Sequence, residues 1–173
     1  MGPGRAVARP RLGPRRFGTC YVPCTVSQAS LLDLSIGPAK PSELAFIAKS
    51  WKESLHDQPQ HSSLPKSVFF SRYNPEINNL LARSQVVVAR DTDDPRFAYG
   101  FLAYETKGKT FAGHYVYAKH SFRRQGVAKA LLDEAIELAG DFDRLVYTTH
   151  TRFDKEIEAL GFVYCNPFAW ERR

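Results

Sequence analysis

The sequence predicts an α/β fold in which a mixed, mostly antiparallel sheet of about six to seven strands is flanked by about four helices. Three observations carry that reading. β-branched and aromatic runs at residues 85–89, 97–105 and 111–118 are separated by turn residues, as in an antiparallel meander. The last run meets a short basic turn with a glycine and passes at once into an amphipathic helix, residues 115–132 reading YVYAKHSFRRQGVAKALL. A short apolar strand at residues 145–148 follows that helix, which implies a parallel pair around it.

Each element has its own signal. Residues 32–36 read as a first strand. Pro41, Ser42 and Glu43 open a helix to about residue 55, with Ser42 as N-cap and Leu44, Ile47, Ala48 and Trp51 as its buried stripe. Residues 56–75 read as a long loop with a short helical turn near Val68, after which Pro75 and Glu76 open a second helix to Arg83. Asp91, Thr92, Asp93, Asp94 and Pro95 supply the turn between the strands at 85–89 and 97–105, and Lys107, Gly108 and Lys109 supply the next. The helix after the glycine turn presents Ala128, Leu131, Leu132, Ala135, Ile136 and Ala139 on one face and stops at Gly140. Residues 153–160 read as a last helix, and 162–164 with 168–170 as a closing hairpin.

Composition bounds the function. At 173 residues and 43% hydrophobic, the chain suits one folded domain over residues 31–173 behind a tail of residues 1–30. No apolar run approaches the ~18 residues that span a bilayer, so no membrane partner is expected. Cys20, Cys24 and Cys165 are too few for a disulfide framework, and Cys20 and Cys24 lack a second Cys/His pair at zinc-ligand spacing. No metal is expected, and reduced thiols in a cytoplasm are the default. The net charge of +6 comes mainly from the tail, where Arg5, Arg9, Arg11, Arg15 and Arg16 stand without an acid. The remaining chain, with 19 basic against 18 acidic residues, is nearly neutral, so the overall charge is no evidence for a nucleic-acid-binding face. The tail is rich in Gly, Pro and Arg and is expected to be disordered. Weak electrostatic contact with nucleic acid, a targeting segment and a solvated extension all remain open for it.

The turn at residues 123–128 carries the chemistry. Arg123, Arg124, Gln125, Gly126, Val127 and Ala128 fit Arg/Gln-x-x-Gly-x-Gly/Ala between a strand and a helix. That order aims backbone N–H groups and the positive end of a helix dipole into one small space, which suits a pyrophosphate. Gly126 permits positive φ or close approach, and Ala128 is small. Downstream, Glu158, Ala159, Leu160, Gly161 and Phe162 supply a second motif. Together these resemble the coenzyme-A-binding turn and the "Leu-Gly-Phe" helix end of the GNAT family of N-acetyltransferases, over roughly residues 34–170. The resemblance implies acetyl-CoA as co-substrate, an amine-bearing acceptor, and a GNAT-like version of the sheet described above. It leaves a homodimer open, since dimers are frequent among members.

The resemblance also assigns roles. Amides near Tyr117 and Ala118 would polarise the acetyl carbonyl, and Arg123, Arg124, Gln125, Gly126, Val127 and Ala128 would hold the pyrophosphate. His114, nine residues before Arg123, stands where some members carry a glutamate base. An imidazole's ordinary pKa of ~6.5 suits that role, and a histidine satisfied by hydrogen bonds is the rival reading. Glu105 is a second candidate base, or else a solvated charge at a strand end. Where many members have a tyrosine that protonates the thiolate, this chain has Ile157; Tyr147, Tyr117 or Tyr164 could substitute. His150 stands where an asparagine often contacts the pantetheine arm. The region 56–75, which in the family forms much of the acceptor wall, offers aromatic and histidine side chains with few acids, so a polycationic acceptor is disfavoured.

Three functions are therefore carried: acyl transfer to a small-molecule or protein amine, acyl transfer to amino-modified DNA bases, and a non-catalytic coenzyme-A- or partner-binding module. The second rests on a similarity of FIAKSW, ARDTDDPRFAYGFLAYE and HYVYAKHSFRRQGVA to acetyltransferases of phage and prophage genomes.

Overall fold

The structure, a computed structural model, describes residues 32–151, 153–167 and 170. Residues of the arginine-rich tail, and Phe168 and Ala169 of the expected closing hairpin, lie outside these. Strand β1 (Leu34–Pro38) leads through a 3-10 turn (Pro41–Glu43) into α1 (Leu44–His56), followed by α2 (Lys66–Arg83). β2 (Gln85–Asp91), β3 (Ala98–Lys107) and β4 (Thr110–Ala118) form the meander. A second 3-10 turn (His120–Phe122), α3 (Val127–Ala139), β5 (Arg144–Tyr147), α4 (Asp154–Ala159) and β6 (Val163–Tyr164) complete the order. The six strands lie side by side in chain order, antiparallel from β1 to β4 and parallel from β4 to β6. The α/β architecture and its parallel pair around α3 are as the sequence predicts.

The sheet separates two cores. One face packs Ile47, Trp51 and Leu55 of α1 and Phe69, Ile77 and Leu80 of α2 against Val88, Phe101 and Tyr115. Trp51 and Tyr115 lie nearly parallel with centroids 5.0 Å apart, and Ser54 Oγ meets the Tyr115 hydroxyl at 2.9 Å. The opposite face packs Val127, Leu131 and Ala135 of α3 against Val87, Leu102, Tyr104 and Phe111. Burying side chains of this size stabilises by roughly 1.5–3 kcal/mol each, and that is what fixes the position of α3 over the sheet.

Four local expectations are corrected. Ser42 does not cap α1: residues 41–43 form a 3-10 turn in which the Lys40 N–H donates to Glu43 Oε2 at 2.6 Å. The cause is Arg90, whose guanidinium takes both Glu43 oxygens at 2.7 Å and donates to the Pro38 carbonyl at 2.8 Å, tying β2 to the head of α1. Leu44 is consequently 46% exposed rather than part of the stripe.

The second correction is the loop at 56–75, most of which is helix. α2 starts at Lys66 and runs through Pro75. Phe69, Ile77 and Leu80 lie on one buried face and outweigh the lost backbone bond. That bond would have gone to the carbonyl of Ser71; Ser71 and Pro75 are both exposed, where water can replace it. Third, Ala128 is exposed, and Val127 takes its place in the buried face of α3. Fourth, β6 pairs in parallel with β5, and the Trp170 N–H donates to the Asn166 carbonyl at 3.0 Å, a helical spacing rather than a hairpin strand.

Candidate active site

β4 organises the site because it is paired differently along its two halves. From Thr110 to Gly113 it pairs with β5, ending at Gly113↔Tyr147, with one further bond from the Thr148 N–H to the Gly113 carbonyl at 3.1 Å. On the β3 side the register slips at the same place: Ala103 faces Tyr115 and Tyr104 faces Gly113, so His114 is an extra, bulged residue. A bulge bends its strand and raises the local twist. Past it, residues 114–118 of β4 continue along β3 with no residue of β5 paired to them.

The outer half of β4 is held close to β3 by a glycine. A Cβ on Gly100 would come within 2.2 Å of the Tyr117 carbonyl oxygen, so only glycine fits there. The Lys119 N–H donates back to the Tyr99 carbonyl at 2.8 Å. Because strand amides alternate in direction, Tyr117 shares that orientation toward β3 and the Ala118 amide points away from it. The Tyr117 ring is stacked on Phe101 at 5.4 Å. Lys119 Nζ sits 3.7 Å over the Phe97 ring, and burial lowers its pKa.

Beyond Lys119 the backbone reverses twice. Arg124 has φ 64° and Gly126 has φ 84°, both in the left-handed region, and α3 starts at Val127. With Gln125 between them, these turn conformations can bring consecutive N–H groups to one side, the arrangement of an anion-sized nest. The Ala130 N–H is bonded to the Gly126 carbonyl at 2.9 Å, while the N–H groups of Val127 and Ala128, in the first turn, have no intrahelical acceptor. A Cβ on Gly126 would meet no atom within 4 Å, so the cup opens outward. Arg123 Nε donates to the Ala118 carbonyl at 3.3 Å and Gln125 Nε2 to the Ser121 carbonyl at 3.0 Å, bracing the turn from both sides. Arg124 is exposed at its rim. These residues fit a diphosphate: the donors are amides, the helix dipole adds positive potential, and the space is open.

The middle of β4 and the facing part of β3 hold the candidate bases, and the structure brings them together. The His114 side chain is 0% exposed, with Nε2 3.0 Å from Glu105 Oε1 and Nδ1 2.8 Å from Thr148 Oγ1. Glu105 is no solvated strand-end charge. Its Oε1 also accepts from Arg83 Nε at 2.6 Å, and its Oε2 accepts from Trp170 Nε1 at 3.0 Å. Burial would raise the carboxyl's pKa, but the bonds from His114 and Trp170, with the charges of His114 and Arg83, outweigh it and hold it down at about 2. Glu105 is therefore ionised and accepts only, so His114 Nε2 donates to it; in the neutral ring Nδ1 is then the acceptor that faces the Thr148 hydroxyl.

The remaining candidates stand apart from this pair. The Tyr147 hydroxyl donates to Glu158 Oε1 at 2.9 Å; burial first, then that bond, push its pKa well up and make it a weaker acid. His150 is exposed, stacked 3.8 Å from Tyr164, with Nδ1 2.6 Å from Asp154 Oδ2. Gln60 Nε2 donates to the His150 carbonyl at 3.0 Å, so the loop between α1 and α2 reaches across to the segment after β5. That loop and α2 present His61, Phe69, Phe70 and Tyr73 as one ring cluster. Tyr164 is 36% exposed and its pKa is raised by burial.

Sequence reasoning missed Arg83, Thr148, Trp170 and Gly100. The side-chain partners of the first three lie 22, 34 and 65 residues away, so no local pattern marks them. Gly100 carries a weak signal, a glycine inside an otherwise bulky strand. Among the described residues no cluster of three or more His, Cys, Asp or Glu is placed to hold a metal, and no helix is long and apolar enough to cross a membrane.

Solved structures with the same fold include a histone acetyltransferase HPA2-related acetyltransferase from Corynebacterium glutamicum, with TM-score 0.54, 19% identity, 76% of this chain and 86% of that one covered. A Pyrococcus furiosus protein aligns with TM-score 0.62 at 16% identity, over 76% of this chain and 93% of its own. A ribosomal-protein-alanine N-acetyltransferase from Brucella melitensis aligns with TM-score 0.51 at 18% identity, over 73% and 88%. Such identities speak for the fold alone. A search of curated protein sequences finds no match. The model of the acetyltransferase (GNAT) family, however, matches residues 48–163, which include the β4 bulge, the nest before α3 and the Leu-Gly-Phe end of α4. The chain with this split β4 and its amide cup belongs to the acetyltransferase (GNAT) family.

Proposed function

We propose that the protein transfers an acetyl group from acetyl-CoA to a primary amine. The observation that carries this reading is the placement along one strand: β4 holds His114, bonded to Glu105, and eight residues beyond its end at Ala118 comes the amide cup at Gly126. The cup would hold the diphosphate through the amides of residues 124–128, with Arg123 and Arg124 near enough in sequence to add charge-assisted bonds. The thioester would lie along the outer half of β4, where the Ala118 amide points away from β3 and would polarise the carbonyl. His114, hydrogen-bonded through Nε2 to ionised Glu105, would accept the amine's proton. Tyr147 is committed to Glu158, so departure of the thiolate relies on the low basicity of a thiol rather than on a tyrosine acid.

The acceptor belongs to small molecules or protein amines. The ring cluster around His61 and Tyr73 favours an amine with an apolar or aromatic body over a polycation. The test is thiol release from acetyl-CoA against a panel of aromatic, aliphatic and peptide N-terminal amines, with polyamines for comparison. Turnover of an aromatic amine above the polyamines is expected. Tight coenzyme A binding with no turnover on any amine would overturn the reading in favour of a non-catalytic binding module.

A further inference from the structure

His114 cannot reach a substrate directly. Its side chain is 0% exposed and both ring nitrogens are engaged, Nε2 by Glu105 and Nδ1 by Thr148. The charged groups around the pair are Glu105 on β3 and Arg83 on α2, with the Trp170 indole beyond. Glu105 meets the imidazole at Nε2, and Arg83 and Trp170 both bond to that carboxylate. On its other nitrogen, Nδ1, the imidazole meets the Thr148 hydroxyl at 2.8 Å. Thr148 also makes the last main-chain bond of the β4–β5 ladder, through its N–H to the Gly113 carbonyl, so it stands where that pairing ends.

We infer that Thr148, His114 and Glu105 form a hydroxyl–imidazole–carboxylate relay whose outlet, at the end of that ladder, is the Thr148 oxygen, and that this relay takes up the acceptor's proton. The inference rests on the acyl-transfer reading above. As the amine nitrogen bonds to the acetyl carbon, the carbon–sulfur bond breaks and its electron pair leaves on the coenzyme A sulfur. The proton shed by the nitrogen passes to Thr148 Oγ1 while the threonine's own proton passes to His114 Nδ1. The resulting imidazolium faces the Glu105 carboxylate through Nε2–H, and the proton returns by the same route after the products leave. A hydroxyl has one proton to give and lone pairs to receive another, so it can serve both sides at once. Thr148 is 2% exposed, so the group that delivers the proton is a single water or the amine itself lodged at the end of that ladder.

Two measurements test this. Long-range 1H–15N correlation of the imidazole in the full-length protein should show neutral His114 protonated at Nε2 with a bare Nδ1; a neutral ring protonated at Nδ1 overturns the relay. Kinetics with the best amine of the panel should show Thr148→Val lowering kcat about a hundredfold, the lower end of general-base effects. KM for acetyl-CoA should stay within about twofold. Thr148→Ser, which keeps the hydroxyl, should recover most of the rate. Thr148→Val with wild-type kcat overturns the relay, as does a loss shared equally by Ser and Val or tracking lost coenzyme A affinity, which marks a structural role. A wild type that turns over no amine defeats the acyl-transfer reading itself and the relay with it, an outcome distinct from a wild type and a Thr148→Val variant that turn over equally well.

Discussion

The outer end and the middle of β4 are built by opposite means. At its outer end, contiguous backbone from Arg123 to Ala128 does the work: two left-handed residues and the head of a helix, exposed to solvent, with no side chain required of a distant partner. At its middle, buried and partly buried side chains from α2, β3, β4, the segment after β5 and the C-terminal region converge on one carboxylate and one imidazole. An amide cup tolerates change around it provided φ at Gly126 stays positive. A buried charge cluster fails when any one member is removed, because each then leaves another without compensation.

Removing Glu105 should show the largest effect. Glu105→Ala strips Arg83 and His114 of their buried acceptor and is expected to cost about 3–5 kcal/mol in urea unfolding. A loss under 1 kcal/mol would mean that the middle is no more coupled than the outer end.

The same carboxylate sets an acid limit. Its pKa falls from an ordinary 4.5 to about 2 on folding, so the stability it contributes is present above about pH 4.5 and is lost as pH falls toward 2. One such group accounts for at most about 3 kcal/mol. Glu105→Gln should flatten the unfolding free energy across that window, and an unchanged slope would reassign the acid sensitivity to other carboxylates.

The outer end should respond in binding rather than stability. Gly126→Val places a β-branched residue at φ 84° and its side chain in the open mouth of the cup. Coenzyme A affinity should fall roughly a hundredfold, about 2.7 kcal/mol, while the melting temperature shifts by only a few degrees. Retained affinity in that variant would remove the cup from binding.

The smallest effect is expected at Pro75, where a local rule was overridden. Pro75→Ala restores a backbone donor on an exposed face of α2 and should raise stability by about 1 kcal/mol. A loss there would show that the proline's kink is needed for packing.

What could be read from the sequence divides along the same line. The cup was legible because its parts are six consecutive residues between a strand and a helix, and its conformation follows from glycine and helix-dipole physics. His114 and Glu105 could each be singled out, but not as a pair. Their meeting depends on the bulge at His114 and on the β3–β4 register, which no local pattern encodes. Arg83 and Trp170 were invisible for the same reason: they approach Glu105 only through the packing of α2 and of the C-terminal region. The proline at position 75 misled because an apolar face spread over Phe69, Ile77 and Leu80 decides the helix, and Pro75 lies on the other face.

Calorimetric titration of the wild-type protein with coenzyme A and, separately, with pantetheine, which lacks the diphosphate, tests the central claim most directly. If the amides before α3 grip a diphosphate, coenzyme A binds at least about a hundredfold more tightly than pantetheine. Equal affinities for the two would contradict the account.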